Sequence, residues 1–220
     1  MIWHWGDAIE PLQSVLDCGG FVGLPTESSY AIGADPTSVR GVDSVFEVKR
    51  RSKDKPLPVV IAELSHLELL GGDPDEALLR RLAELWPAPL TAVVAIERPL
   101  PATLGSPWLG IRIPAHERLR DLLRRLDRPL TATSANLSGR PPVSDPERLA
   151  EIFAERPSLI VDDGLLAGGD PSTVVRLETG SVTLLRPGAF PIDRLERHLG
   201  AGVFSATPAE IPADEFPETR

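Results

Sequence analysis

Four stretches of this 220-residue sequence collect side chains able to do chemistry. The first is Pro25-Thr26-Glu27-Ser28-Ser29-Tyr30, which gathers hydroxyls, one carboxylate and a phenol ring in a short loop. The second is Lys49-Arg50-Arg51-Ser52-Lys53-Asp54-Lys55, where five cations face one acid. Of the 23 basic residues only three are lysines, and all three lie in this window. A compact ammonium holds an anion differently from a planar guanidinium. The lysine cluster therefore marks either a phosphate-binding loop or a solvated helix end, where cations suit the helix dipole. The third stretch, Thr131 to Gly139, reads TATSANLSG, and its Ser and Asn side chains can donate to a phosphate or a base. The fourth is Gly168-Gly169-Asp170-Pro171-Ser172-Thr173. Taken singly, each hydroxyl-rich loop also reads as a turn or a cap. Arg112 differs, because it stands between Ile111 and Ile113 in an apolar strand. An unpaired cation is costly there, so Arg112 either faces solvent or holds a buried carboxylate or phosphate.

The elements that must position these residues alternate along the chain. Phe21–Leu24 reads as a buried strand feeding the first loop, and Thr26–Pro36 reads as that loop. From Thr37, apolar Val39, Val42, Val45 and Phe46 recur at helical spacing. That helix is predicted to end near Lys49 and deliver the basic loop. Strands are predicted at Leu57–Ala62, Leu90–Ile96, Gly110–Ile113, Leu130–Thr133, Leu159–Val161, Thr173–Leu177 and Val182–Leu185. Helices are predicted at Pro74–Trp86, His116–Leu126, Asp145–Ala154 (capped by Asp145) and Pro191–Leu199. A first helix opens on a capping box of Asp7 and Glu10 and closes at Gly19-Gly20. Alternating strands and helices argue for an α/β fold. The short links between the late strands argue for antiparallel pairing, hence a twisted mixed parallel/antiparallel sheet with flanking helices. The expected organisation is one domain over residues 1–200. Residues 201–220, acidic and carrying Pro208, Pro212 and Pro217, read as a flexible tail.

Composition removes several function classes. The net charge is −9, which disfavours tight non-specific nucleic-acid binding. Candidate stacking rings are few, namely Trp3, Trp5, Trp86, Trp108 and Tyr30. Cys18 is the single cysteine, so no intramolecular disulfide or cysteine-based zinc site can form, and a reducing cytoplasm suits the chain. The four histidines, His4, His66, His116 and His198, are scattered without metal-ligand spacing. Apolar runs such as Thr91–Ile96 fall far short of the ~20 residues of a membrane span, and the N-terminus lacks the pattern of a signal peptide. No Walker-type loop, dinucleotide fingerprint or G-x-S-x-G elbow occurs.

Seven segments in order resemble the YrdC-like threonylcarbamoyl-AMP synthase family. They are PTESSYA (Pro25–Ala31), KRRSKDKPL (Lys49–Leu57), WPAPLT (Trp86–Thr91), RIP (Arg112–Pro114), TSANLSG (Thr133–Gly139), PSTVV (Pro171–Val175) and RPG (Arg186–Gly188). The resemblance spans about residues 10 to 195, and the chain looks like the family's short form. It implies a concave, basic-lined cleft that joins L-threonine, bicarbonate and ATP into threonylcarbamoyl-AMP, with pyrophosphate released. Mg2+ accompanies the nucleotide. A downstream complex then passes the group to tRNA, and weak tRNA binding is compatible with that role.

By family position, Lys49, Arg51, Ser134 and Asn136 form the catalytic set. Thr26, Tyr30, Arg112, Thr133, Ser172 and Thr173 surround threonine and bicarbonate. Lys49, Arg51, Lys55, Ser134, Asn136 and Arg186 meet the nucleotide. The sequence departs from the family pattern at Ser28, Ala31 (usually Gly), Ser52, Ala88 and Arg176. Two other readings share these residues: an RNA-binding or ribosome-maturation module without catalysis, and a paralogue that adenylates a different carbamate.

Overall fold

The computed structural model describes residues 1–53, 55–137, 139–154, 158–200 and 202–206. In chain order the elements are β1 (Ile2–His4), α1 (Glu10–Asp17), β2 (Phe21–Pro25), β3 (Tyr30–Gly33), α2 (Val39–Lys49), β4 (Val59–Val60), α3 (Ala77–Ala83), β5 (Leu90–Ala95), β6 (Trp108–Arg112), α4 (Glu117–Leu126), β7 (Leu130–Thr131), β8 (Thr133–Ser134), α5 (Pro146–Ile152), β9 (Ser158–Asp162), β10 (Thr173–Glu178), β11 (Ser181–Arg186), α6 (Ile192–Leu199) and β12 (Phe204–Ser205). Short 3-10 turns lie at Leu64–Leu70 and Pro101–Thr103.

The α/β class holds, and the strands divide into two mixed sheets. One has five strands in the order β1-β9-β2-β3-β8, and the other has seven in the order β12-β11-β10-β5-β6-β4-β7. The stretch expected as a single strand, Leu130–Thr133, is where they meet. Leu130 and Thr131 pair with Val60 and Val59 in the larger sheet. Thr133 and Ser134 pair with Ile32 and Ala31 in the smaller. Only Ala132 separates the two pairings, its N–H donating to Pro58 O at 2.7 Å. The TSAN loop therefore emerges at the seam between the sheets.

Alternation along the strands decides what faces the site. In the larger sheet Leu90, Ala92, Ile111, Val175 and Leu184 point into a core covered by Leu78, Leu79 and Leu82 of α3 and Leu195 and Leu199 of α6. Their neighbours Thr91, Arg112, Val174 and Leu185 point the other way and line a cavity. The smaller sheet is buried on both faces. Leu12 and Leu16 of α1 and Leu119, Leu122 and Leu123 of α4 cover one face. Val42, Val45 and Phe46 of α2 and Leu149 of α5 cover the other. Each such side chain contributes about 1.5–3 kcal/mol by leaving water.

Several local expectations change. Tyr30–Gly33, read as loop, is a strand between β2 and β8, where Tyr, Ala and Ile all become buried. Ala31, in place of the usual glycine, takes an extended backbone that any residue adopts. The Asp7–Glu10 capping box does not form. Asp7 instead accepts from His4 N at 2.8 Å, and Ile9 is the uncapped N-cap of α1. The helix expected from Pro74 begins at Ala77, because the Glu76 carboxylate accepts from Leu78 N and Leu79 N. Asp145 caps α5 as expected, accepting from Glu147 N and Arg148 N. The domain boundary expected at residue 200 falls too early. Phe204 pairs beside Val182 and is buried in the core. Of the expected tail, residues 201 and 207–220 lie outside the described residues.

Candidate active site

A single cavity of about 550 Å³ draws residues from all seven motif segments, within the roughly 300–1,000 Å³ typical of small-molecule sites. Thr26, Ser28 and Ser29 come from the first segment, and Lys49, Arg51, Ser52 and Lys55 from the second. Thr91 and Arg112 rise from adjacent strands. Thr133, Ser134, Asn136 and Gly139 enter from the seam. Pro171, Ser172 and Val174 of the sixth segment meet Arg186 of the seventh. Ser138 and Asp54 lie outside the described residues.

Lys49 is delivered by the end of α2. Ser38 caps that helix by accepting from Gly41 N at 3.1 Å. Arg50 stops it in the left-handed region at φ 50°, and the terminal carbonyls favour a cation there. Lys49 is 3% exposed. Its Nζ donates to Ser134 O, to Asn136 O at 3.2 Å and to Asn136 Oδ1 at 2.9 Å. Ser134 Oγ also donates to Asn136 Oδ1, at 2.6 Å. Asn136 Nδ2 donates onward to Leu137 O and Arg140 O. Lys49 thus holds the 134–136 loop in shape while its own ammonium stays at the cavity wall. Arg51 Nη1 donates to Thr133 Oγ1 at 3.4 Å and its Nη2 to Lys55 O at 3.3 Å. Lys53, the third lysine of the cluster, turns outward to Asp43.

Arg112 resolves the alternatives left by the sequence, because it holds a carboxylate. Its Nη1 donates to Glu27 Oε1 at 2.7 Å, with side-chain exposures of 13% and 20%. Burial pulls the Arg112 pKa below the ordinary guanidinium value; Glu27 opposes this and the nearby Arg186 adds to it. Ser172 Oγ lies 2.8 Å from Thr91 Oγ1, and Ser172 O accepts from Arg186 Nη2 at 3.0 Å. Gly188 makes this packing possible, since a Cβ there would fall 2.3 Å from Pro171 O and 2.5 Å from Ser172 C.

Two residues expected in the site are not brought to it. Tyr30 is fully buried; its hydroxyl donates to Gly164 O and accepts from Asp163 N, both at 3.0 Å. Burial raises its pKa to about 12. Thr173 is likewise core, its Oγ1 donating to Phe190 O at 2.8 Å and accepting from Phe190 N at 3.1 Å. Both hydroxyls fasten backbone rather than face the cavity. Glu27 is the residue that sequence reasoning left unassigned. Its carboxylate stood out among hydroxyls, but nothing in the sequence pairs it with Arg112, 85 residues away.

Beyond the cavity, Asp163 accepts from Trp5 Nε1 at 2.6 Å, His116 Nε2 at 2.9 Å and Arg118 Nη1 at 2.9 Å. His116 Nδ1 accepts from Leu119 N and so caps α4, which assigns the Nε2–H tautomer. Burial pushes Asp163 up, and these hydrogen bonds outweigh it and hold its carboxyl below the usual range. Arg176 stacks its guanidinium 3.9 Å from the Trp108 ring centre and does not line the cavity. Among the described residues no cluster of three His, Cys, Asp or Glu could hold a metal ion, and no helix is long and apolar enough to cross a membrane.

The Sua5/YciO/YrdC family model, described as "Telomere recombination", matches residues 14–188. The threonylcarbamoyl-AMP synthase of Pyrococcus abyssi is 35% identical over 184 residues, covering 83% of this chain and 54% of that protein. The chain thus spans about half the length of that relative. The threonylcarbamoyl-AMP synthase of Pseudomonas fluorescens is 31% identical over 83% of this chain and 98% of its own length. Among solved structures, P. abyssi Sua5 complexed with L-threonine superposes with a TM-score of 0.80 at 32% identity, covering 98% of this chain and 68% of that one. On these matches the chain belongs to the Sua5/YciO/YrdC family.

Proposed function

We propose that the cavity is the active site of a threonylcarbamoyl-AMP synthase. The observation that carries the reading is the convergence of all seven motif segments, spread from Pro25 to Gly188, on one cavity. A relative of the same family binds L-threonine, and named synthases match most of the chain.

The chemistry brings anions together. The neutral threonine amine attacks bicarbonate with loss of water, or carbon dioxide derived from it with loss of a proton, to give a carbamate. A carbamate oxygen then attacks the α-phosphorus of ATP, the bond to the β-phosphate oxygen breaks, and pyrophosphate leaves. No nucleophilic side chain is consumed. What the protein supplies is position and positive charge, which can lower such a barrier by several kcal/mol. Arg51 and Lys55 hold the phosphates, with the Ser134–Asn136 loop shaped by Lys49, and Arg186, packed on Ser172 and close to Arg112, reaches the nucleotide from the amino-acid side. Arg112 grips the threonine carboxylate, in keeping with the guanidinium's fork geometry. Thr26, Thr133 and Ser172 complete the polar wall around threonine and bicarbonate. Tyr30 and Thr173 take no part in substrate contact. A magnesium ion would neutralise phosphate charge. With no carboxylate cluster among the described residues, its ligands would be phosphate oxygens and water. The product would pass to a tRNA-modifying transfer system in the cytoplasm.

Pyrophosphate release tests this reading. It should require ATP, bicarbonate and L-threonine together. Release that ignores threonine, or that another amino acid supports better, would overturn the threonine assignment.

A further inference from the structure

We propose that Asp163, which lies outside the cavity, is a positioning residue for the cavity wall at Gly169–Ser172; this rests on the reading of the cavity given above. Asp163 follows β9 and does not line the cavity. Its carboxylate gathers three donors: Trp5 Nε1 at 2.6 Å, His116 Nε2 at 2.9 Å and Arg118 Nη1 at 2.9 Å. Its N–H donates to the Tyr30 hydroxyl at 3.0 Å, and the same hydroxyl donates to Gly164 O. The Asp163 and His116 side chains are only 18% and 12% exposed, so solvent screens this contact less than a surface ion pair. These bonds make Asp163 a fixed post.

The chain that leaves the post has little else to hold it. Leu166 N donates to Ser144 O at 2.9 Å. Among the described residues, no backbone group of Ala167, Gly168, Gly169 or Asp170 is hydrogen-bonded to another backbone group, and all four residues are exposed. The next anchors are Pro171, whose O accepts from Ala189 N at 2.8 Å, and Thr173, whose N donates to Pro89 O at 3.0 Å. A span without bonds of its own takes its place from its two ends. Gly169, Pro171 and Ser172 line the cavity, and a Cβ on Gly169 would lie 3.3 Å from Ser28 Cβ. A shift at the Asp163 end therefore reaches the wall, and a misplacement of about 1 Å can slow a reaction by as much as about 100-fold.

The donor set shows which change breaks the post. His116 Nδ1 accepts from Leu119 N, so Nε2 carries the proton given to Asp163. An asparagine side chain has a single acceptor oxygen. Turned to Trp5 and Arg118, it sets its own amide N–H against His116 Nε2–H. Turned to His116, it sets that amide against the other two donors.

The test pairs amide hydrogen exchange with steady-state pyrophosphate release, both on the full chain. In Asp163→Asn the Leu166 N–H should exchange at least about 10-fold faster. Arg51 N–H, bonded to Phe46 O in the Lys49 region, should keep its rate. The kcat should fall by about 10-fold, while KM for ATP and for L-threonine stays within about 3-fold, because the charged groups proposed to bind them are not moved. Should Asp163→Asn fold poorly, His116→Asn is the second variant. Asparagine caps a helix well, so α4 keeps its start, but the shorter side chain gives up the bond to Asp163, and the same changes should follow. Unchanged exchange at Leu166, or an unchanged kcat, overturns the proposal. So does faster exchange at Leu166 and Arg51 alike, which would make Asp163 a support of general stability only. If wild type forms the adenylate and the variants match it, the inference about Asp163 fails and the assigned reaction stands. If wild type releases no pyrophosphate, both fail.

Discussion

Two parts of the cavity wall solve the problem of a buried cation in opposite ways. Lys49, at a helix terminus, is surrounded by the carbonyl and amide oxygens of a loop and shapes that loop. Arg112, the last residue of β6, is tied to a carboxylate and leaves the backbone around it to the sheet. An ammonium with three rotatable protons suits the first task and a planar fork suits the second. The difference teaches that cations of one pocket need not share a job. On the proposed reading the Lys49 region organises donors for a polyphosphate, and the charge-balanced Arg112 region selects an amino acid.

Substitutions can break this contrast, beginning with Lys49. Lys49→Met removes donors to Ser134 and Asn136, each charged bond being worth roughly 1.5–3 kcal/mol. Pyrophosphate release should fall by at least about 100-fold, with ATP affinity falling more than threonine affinity. Arg112→Gln should invert that pattern, weakening L-threonine by about 10–100-fold while ATP binding, read by calorimetry, changes little. If both variants lose both ligands alike, the two regions are not distinct.

Smaller effects should come from the residues that hold backbone. Tyr30→Phe strips the partner from Asp163 N–H and Gly164 O. It should cost about 1–3 kcal/mol, lowering the unfolding midpoint by about 2–10 °C with threonine binding nearly intact. A large loss of threonine affinity at unchanged stability would restore Tyr30 to the site. The mildest test is Asp163→Asn against pH. The folded protein holds Asp163 below its ordinary value of 3.8, so its contribution is whole above that value and is lost as pH falls through the folded-state pKa. The variant should be less stable than wild type at pH 7, and the gap, followed by thermal unfolding, should close as the solution is acidified below pH 4.

Much of the site was legible because its chemistry is local in sequence. The lysine window, TSAN and the hydroxyl loops each announce themselves within ten residues, and helical spacing places Lys49 at the end of α2. Direction was not legible. Tyr30 and Thr173 sit beside cavity residues, yet strand alternation and backbone partners at Asp163, Gly164 and Phe190 turn their hydroxyls inward. Partnership across the chain was equally hidden. Glu27 and Arg112 meet only because β6 and the loop after β2 face the same cavity. The split of Leu130–Thr133 between two sheets has no mark in hydrophobic pattern either, since it is the pairing with Val59–Val60 and with Ala31–Ile32 that creates it.

The central claim is most directly tested by mass spectrometry of a quenched incubation of the protein with ATP, L-threonine and 13C-bicarbonate. The account expects threonylcarbamoyl-AMP carrying one labelled carbon, and at least about 100-fold less of it from Lys49→Met. ATP consumed without a labelled adenylate, or equal product from the two proteins, would contradict it.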